Sequence, residues 1–154
     1  MKKMKKKILG ISLLLILMSC ALESIFGLPN DDRIDKNLIG VWVAINNPKD
    51  SLEIKNKGDF RFEMIISGEK DIIEGYTKKI KGFTIMNLII DGGKGEKLNT
   101  FYGVRIKNDT LEYSEVSDKL RKTDFSSQKE LIRFFEKNIS RSDFFINHER
   151  LIRK

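Results

Sequence analysis

The chain has 154 residues, one histidine, one cysteine and a formal net charge of +7. Five of its 29 basic residues precede Cys20 and all 22 acidic residues follow it, which leaves 24 basic residues and a net charge of +2 after that point. So small an excess does not predict a nucleic-acid-binding protein. The single cysteine excludes an internal disulfide, and the single histidine excludes a histidine-rich metal site.

The first 20 residues have the layout of an export signal. Lysines occupy positions 2, 3, 5, 6 and 7, and an apolar run follows over residues 8–18. A basic segment followed by a short apolar one is typical of a secretory signal peptide. The run is too short to span a bilayer, which takes about 20 helical residues. The chain is therefore predicted to be exported.

The end of this run carries a more specific pattern. Leu17-Met18-Ser19-Cys20 resembles the lipobox of bacterial lipoproteins, in the relaxed form of spirochaetes, since Met18 stands where a small residue is usual. The resemblance implies a signal peptide over residues 1–19, cleavage before Cys20 and attachment of acyl chains such as palmitate to Cys20. Ala21 in place of an aspartate implies sorting to the cell outer membrane. Whether the protein faces the surface or the periplasm stays open.

Residues 20–37 show little periodicity and contain Gly27, Pro29 and the acidic residues Asp31, Asp32 and Asp35. The acidic cluster lacks the alternating oxygen ligands and central glycine of a calcium-binding loop. We therefore expect a lipidated N-terminus followed by a solvated tether, and a single folded domain over residues 38–154.

From residue 38 the sequence changes to short β-rich runs separated by turns. The first run, 38–45, is almost wholly apolar, whereas 60–67 alternates between apolar and polar residues, which is typical of a strand with one buried face. Further strands are expected around 52–55, 72–80, 83–90, 98–106 and 110–116, with tight turns such as Lys81-Gly82 and Asn108-Asp109 between them. Seven strands with short connections predict an antiparallel up-and-down meander.

The period then changes to that of a helix. Ser127 and Glu130 form a capping box, and Leu131, Phe135 and Ile139 lie on one stripe. An amphipathic helix is expected over about 128–138, packed on the barrel or across its mouth. Its other face carries Lys129, Arg133 and Lys137 at four-residue spacing. The apolar tail, 144–146 and 151–152, predicts a short closing strand.

A meander of this length avoids exposed edges best by closing into a barrel. Gly40-Val41-Trp42 resembles the G-x-W start of the first strand in lipocalins and related calycin barrels. The resemblance implies a mainly β, lipocalin-like barrel in which the glycine lets the strand bend, Trp42 closes the floor, and a basic side chain covers its ring. Arg150 or Arg153 is the candidate for that side chain.

Two functions follow from such a barrel. The expected role is non-enzymatic binding of a small apolar ligand, in a cavity lined by aromatic residues: Trp42, Phe60, Phe62, Tyr76, Phe83, Phe101 and Tyr102. The alternative is a barrel filled by these side chains, which acts as a protein-interaction module. No catalytic triad or phosphate-binding motif is recognised around His148 or Gly92-Gly93-Lys94-Gly95. No catalytic residue, metal or cofactor is predicted, and the protein is expected to be a monomer.

Overall fold

Tight turns determine the antiparallel order of the strands. In a computed structural model of the protein, which describes residues 21–154, Lys81, Gly82 and Asn108 adopt positive φ angles at the tips of two hairpins. The predicted signal peptide, 1–19, and the predicted acylation site, Cys20, lie outside the described residues. The described residues form nine strands: β1 (Glu23–Ser24), β2 (Gly40–Ala44), β3 (Ser51–Asn56), β4 (Phe62–Ile66), β5 (Ile72–Ile80), β6 (Phe83–Asp91), β7 (Lys97–Lys107), β8 (Thr110–Val116) and β9 (Phe145–Arg153).

Strands β2 to β9 close into an eight-stranded antiparallel up-and-down barrel, as the sequence predicts. Each of β2 to β8 pairs with the next strand in the chain, and β9 closes the cylinder by pairing with both β8 and β2. The inward side chains form one apolar cluster around Trp42, Phe62 and Tyr102. Because every strand of the barrel has two neighbours, the fold leaves few unpaired edges.

The predicted helix is confirmed as α1 (Gln128–Asn138). The Ser127 side chain accepts a hydrogen bond from the Glu130 N–H at 3.2 Å, while the Glu130 carboxylate accepts one from the Ser126 N–H at 2.6 Å. Phe135 contacts Phe101 with ring centroids 5.3 Å apart. Of the two expected placements, α1 therefore takes the outer wall of the barrel and not its mouth. No helix within residues 21–154 is both long and apolar enough to cross a membrane.

The segment predicted to be a tether is part of the fold. Leu22 and Leu28 are buried beside α1 in a second apolar cluster. The Leu28 N–H donates to Asn87 Oδ1 at 2.9 Å, and the Tyr76 hydroxyl donates to the Leu28 carbonyl at 2.6 Å. The prediction of a solvated linker over 20–37 is therefore wrong for residues 21–37. These contacts join residues 48 to 59 positions apart, so no local sequence pattern reveals them.

Residues 21–24 also fill a gap in the barrel wall. β7 pairs with β8 from Tyr102 to Lys107, whereas β1 pairs with β7 at Asn99 and Thr100, where β8 is no longer its partner. The Leu22 N–H donates to the Val116 carbonyl at 2.8 Å. The start of the described chain thus lies between β7 and the end of β8, and satisfies main-chain groups that the barrel alone would leave unpaired.

Candidate functional site

The barrel floor is built around Trp42, the only tryptophan of the chain. Its ring is fully buried, and its Nε1–H donates to the Leu38 carbonyl at 3.0 Å. The Arg153 guanidinium stacks on the ring, with its carbon 4.2 Å from the ring centroid. Arg153 also donates to the carbonyls of Asn37 and Ile39 at 2.6 and 3.0 Å. Of the two candidates for this position, Arg153 covers the ring, while the exposed Arg150 lies near Glu112.

Gly40 makes this floor possible. Its φ of 144° is strained for any residue with a side chain, and a Cβ added there would lie 2.6 Å from Arg153 Nη1. A side chain at this position would therefore displace the guanidinium from Trp42. The positive φ of Gly40 and the arginine stacked on Trp42 match two of the three features that the G-x-W resemblance implies.

Side chains fill the barrel above this floor. Phe62, Met64 and Tyr102 are at most 1% exposed and belong to the same cluster as Trp42. Gly75, opposite Phe62 on β5, accommodates the phenyl ring, since a Cβ there would lie 2.5 Å from it. Protein interiors are packed at the density of organic crystals, so little room for a ligand remains among these rings.

The seven aromatic residues predicted to line a cavity do not share one space. Trp42, Phe62 and Tyr102 lie inside the barrel. Tyr76 and Phe101 lie on its outer face, under α1 and the N-terminal segment. Phe60 and Phe83 are 41% and 40% exposed, and the Phe83 ring lies 5.6 Å from that of Phe145. The predicted ligand cavity of seven aromatic side chains is therefore absent from the described structure.

A cleft of about 920 Å³ opens beside the filled core. Its inner wall includes Leu38, Val104, Tyr113 and Leu151, which belong to the barrel cluster or pack against it. Glu149, opposite Tyr113 on β9, brings a carboxylate to this wall. Other lining residues, including Phe83 and Phe145, lie on the outer face of the sheet. The cleft is thus lined by residues from both the inner and the outer face of the barrel sheet, and it combines apolar surface with a few polar groups.

Glu115 is a buried carboxyl group inside the barrel. Its Oε2 accepts a hydrogen bond from Asn147 Nδ2 at 3.0 Å, and its Oε1 has no hydrogen-bond partner within the part of the chain that the structure describes. Burial raises the pKa of Glu115 above its ordinary value. Asn147, with a φ of 53°, lies where the pairing of β8 and β9 shifts register. The irregular pairing therefore brings an amide donor to a buried carboxyl group.

Burial also affects the tyrosines. It raises the pKa of Tyr76 to about 12, and it raises the pKa values of Tyr102 and Tyr113 well above the usual range. All three phenols are consequently neutral at physiological pH.

One pair of side chains capable of acid–base chemistry emerges only in the structure. Ser114 Oγ lies 2.5 Å from His148 Nδ1, across β8 and β9 and on the lining of the cleft. A nucleophilic serine needs a base that is itself oriented by a third group. Among residues 21–154 no carboxylate forms an ion pair or hydrogen bond with His148, and no three potential metal ligands come together. The pair alone does not define a hydrolytic site.

Residues 21–154 thus form a closed β-barrel of eight strands with one α-helix on its outer wall. Comparison of the chain with known protein families, with curated proteins and with solved structures finds no match.

Proposed function

We propose that the protein is a lipid-anchored envelope lipoprotein, acylated at Cys20, whose barrel binds a small ligand without catalysing a reaction. The single observation that carries the binding role is the cleft of about 920 Å³ beside the barrel core. Its size is within the range of small-molecule sites, which are concave and mostly apolar with a few polar groups.

The chemistry of the cleft indicates the class of ligand. Val104, Leu38 and Leu151 offer an apolar wall, and Tyr113 and Glu149 add a hydroxyl and a carboxylate. An apolar molecule with one polar or cationic end would bury its body on the wall and direct its polar end toward Glu149. These apolar side chains belong to the packed cluster of Trp42 and Phe62 or lie against it, so the site would be largely preformed.

A lipocalin-like relationship is part of this proposal. The support comes from the positive φ of Gly40, the buried Trp42 and the Arg153 guanidinium stacked on its ring. These features occupy the start of the first barrel strand and the end of the last, as the resemblance implies.

Native mass spectrometry of the protein purified from its own envelope tests the binding role, because a bound ligand adds a discrete mass. Val104→Trp places a large ring in the cleft and should abolish that mass. Val41→Trp is the matched control, since Val41 faces away from the Trp42 cluster on β2 and does not line the cleft. Loss of the added mass in both variants, or in neither, would refute binding in the cleft.

The anchor needs a separate test. Metabolic labelling with a palmitate analogue should mark the native chain and leave a Cys20→Ala variant unlabelled. Equal labelling of the two would refute acylation at Cys20. Proteolysis of intact cells then distinguishes a surface-exposed protein from a periplasmic one.

A second candidate function is favoured by the packed interior. Since Trp42, Phe62 and Tyr102 fill the lower barrel, the protein could act through its outer surface as a protein-interaction module. In that case the protein from the envelope carries no small molecule, and cross-linking in intact cells yields a discrete complex that survives Val104→Trp.

A further inference from the structure

The first described residues are fixed against the segment that follows β8. Ala21 forms an antiparallel bridge with Ser117, and Arg121 Nη1 donates to the Glu23 carbonyl at 2.8 Å. Cys20 is joined directly to Ala21, which limits the distance between their Cα atoms to about 3.8 Å. If Cys20 carries the acyl chains, no flexible spacer separates the barrel from the bilayer. The surface around Ser117 would then face the lipid headgroups.

That surface is basic. Residues 119–125 and the adjoining side of α1 form a groove of about 640 Å³, which we call the basic groove. Six basic residues line it: Lys119, Arg121, Lys122, Arg133, Lys137 and Arg141. Glu130 is the single acidic residue among the lining residues, and Phe125 and Phe134 contribute apolar surface.

Several of these charges are available to a partner. Arg121 forms ion pairs with Asp118 and Asp124, and Arg141 with Asp143. Within residues 21–154, Lys119, Lys122 and Lys137 form no ion pair, and all three side chains are exposed. Like charges gathered on one face repel one another, so a surface of this kind is stabilised by anions.

We propose that the basic groove rests on anionic phospholipid headgroups of the membrane that holds the acyl chains of Cys20. The proposal depends on the anchor in the proposed function, and it adds the orientation of the barrel. Three observations carry it: the bridge between Ala21 and Ser117, the position of the groove directly after Ser117, and its excess of basic side chains. Attraction between charges extends only about 8 Å at physiological salt. Lys119 and Arg121 lie two and four residues after Ser117, the partner of Ala21, so the short link from Cys20 would hold this part of the groove near the headgroups.

The expected strength follows from measurements on other basic segments. A lysine or arginine near an anionic membrane surface strengthens binding by about fivefold. Removal of two such charges should therefore weaken the contact by about 25-fold. High salt should weaken it as well, because the attraction is screened.

The test uses the acylated protein, purified in detergent and reconstituted into vesicles. One set contains phosphatidylcholine alone, and the other contains phosphatidylcholine with phosphatidylglycerol. An amine-acetylating reagent modifies exposed lysines, and mass spectrometry gives the rate at each site. Lys119, Lys122 and Lys137 should react several-fold more slowly on the anionic vesicles at low salt, and equally fast on both at high salt. Lys107, at the opposite end of β8 about 20 Å from Val116, should react equally on both.

A pair of matched variants checks that charge causes the protection. Lys119→Gln with Lys122→Gln should remove most of the protection of Lys137. Lys36→Gln with Lys107→Gln removes the same charge at the barrel end where β2 begins, and should leave Lys137 protected. Equal rates on the two vesicles, or equal effects of the two variants, would overturn the proposal and leave an acidic protein as the partner to test.

The experiment distinguishes an error in the proposed acylation of Cys20 from an error in the proposed binding of headgroups by the basic groove. The mass of the N-terminal peptide reports whether Cys20 is acylated. If it is not, the proposed anchor is wrong, and the same vesicles are added to the unacylated protein. Salt-sensitive protection of the three lysines there retains the groove as a headgroup-binding surface, whereas no protection overturns it.

Discussion

Replacement of Arg153 by alanine should loosen the barrel floor without unfolding the protein. The guanidinium stacks on the Trp42 ring and donates to two main-chain carbonyls, those of Asn37 and Ile39. A cation–π contact at a partly exposed site contributes about 0.5–1 kcal/mol, and each hydrogen bond contributes about 1 kcal/mol net. The ion pair with Asp109, which is 83% exposed, adds little. Arg153→Ala should therefore lower the free energy of unfolding by about 2–3 kcal/mol.

Tryptophan fluorescence reports this change directly, because Trp42 is the only tryptophan and is fully buried. Urea unfolding followed by Trp42 emission gives the loss of stability. The emission of the folded variant should shift to longer wavelength as water reaches the ring. Arg153→Lys keeps the charge but loses the planar stacking surface, and should give an intermediate result.

Arg150→Ala is the matched control. Arg150 lies three residues away on β9, its side chain is 67% exposed, and it is paired with Glu112 at 3.4 Å. An exposed pair of this kind contributes less than about 1 kcal/mol. If the two alanine variants lose the same stability and both leave the emission of Trp42 unchanged, the stacked arginine does not hold the floor.

Three further changes test the interior and the N-terminal segment. Burial raises the pKa of Glu115, so the cost of burying its ionised carboxylate is absent below the unfolded pKa and is complete once pH has risen through the folded pKa. Glu115→Gln should therefore make the free energy of unfolding, measured in urea, less dependent on pH. The same change in that free energy between acid and neutral pH in both proteins would contradict this. Gly75→Val should cost about 1–3 kcal/mol in the same assay, because its side chain would meet the Phe62 ring, and a stable variant would show that the core can adjust. Leu22→Ala should lower the free energy of unfolding by about 2–4 kcal/mol if residues 21–37 belong to the fold, whereas Ile25→Ala, at a 66% exposed position, should have little effect. Equally small effects of the two variants would support the solvated tether instead.

The regular elements could be read from the sequence because their patterns are local. The alternation at 62–66, the turn residues at 81–82 and 108–109, and the capping box before α1 each lie within a few residues. Strands β5 and β8 and helix α1 have the predicted bounds. Closure into a barrel followed from the number of strands and the short connections, since an open sheet of this length would expose its edges.

The location of the aromatic residues could not be read in this way. α1 and the N-terminal segment cover one side of the barrel, so both faces of the wall are apolar there. Ile85 and Met86 are adjacent on β6 and both are buried. Ile85 lies on the outer face, under α1 and the N-terminal segment, and Met86 lies in the barrel interior. Alternation between apolar and polar residues is lost on such strands, and the sequence alone could not assign Tyr76 and Phe101 to the outer face.

By itself, the sequence determined the strands β2 to β8, the helix, the position of Trp42 at the first barrel strand and the expectation of an acylated Cys20. Only the tertiary structure decided that Arg153 covers the tryptophan, that residues 21–37 pack on the barrel, and that Ser114 meets His148. The physical reason is the range of the interactions. Strand and helix patterns depend on neighbours within a turn or two, whereas these contacts join residues 34 to 111 positions apart and depend on how the sheet closes.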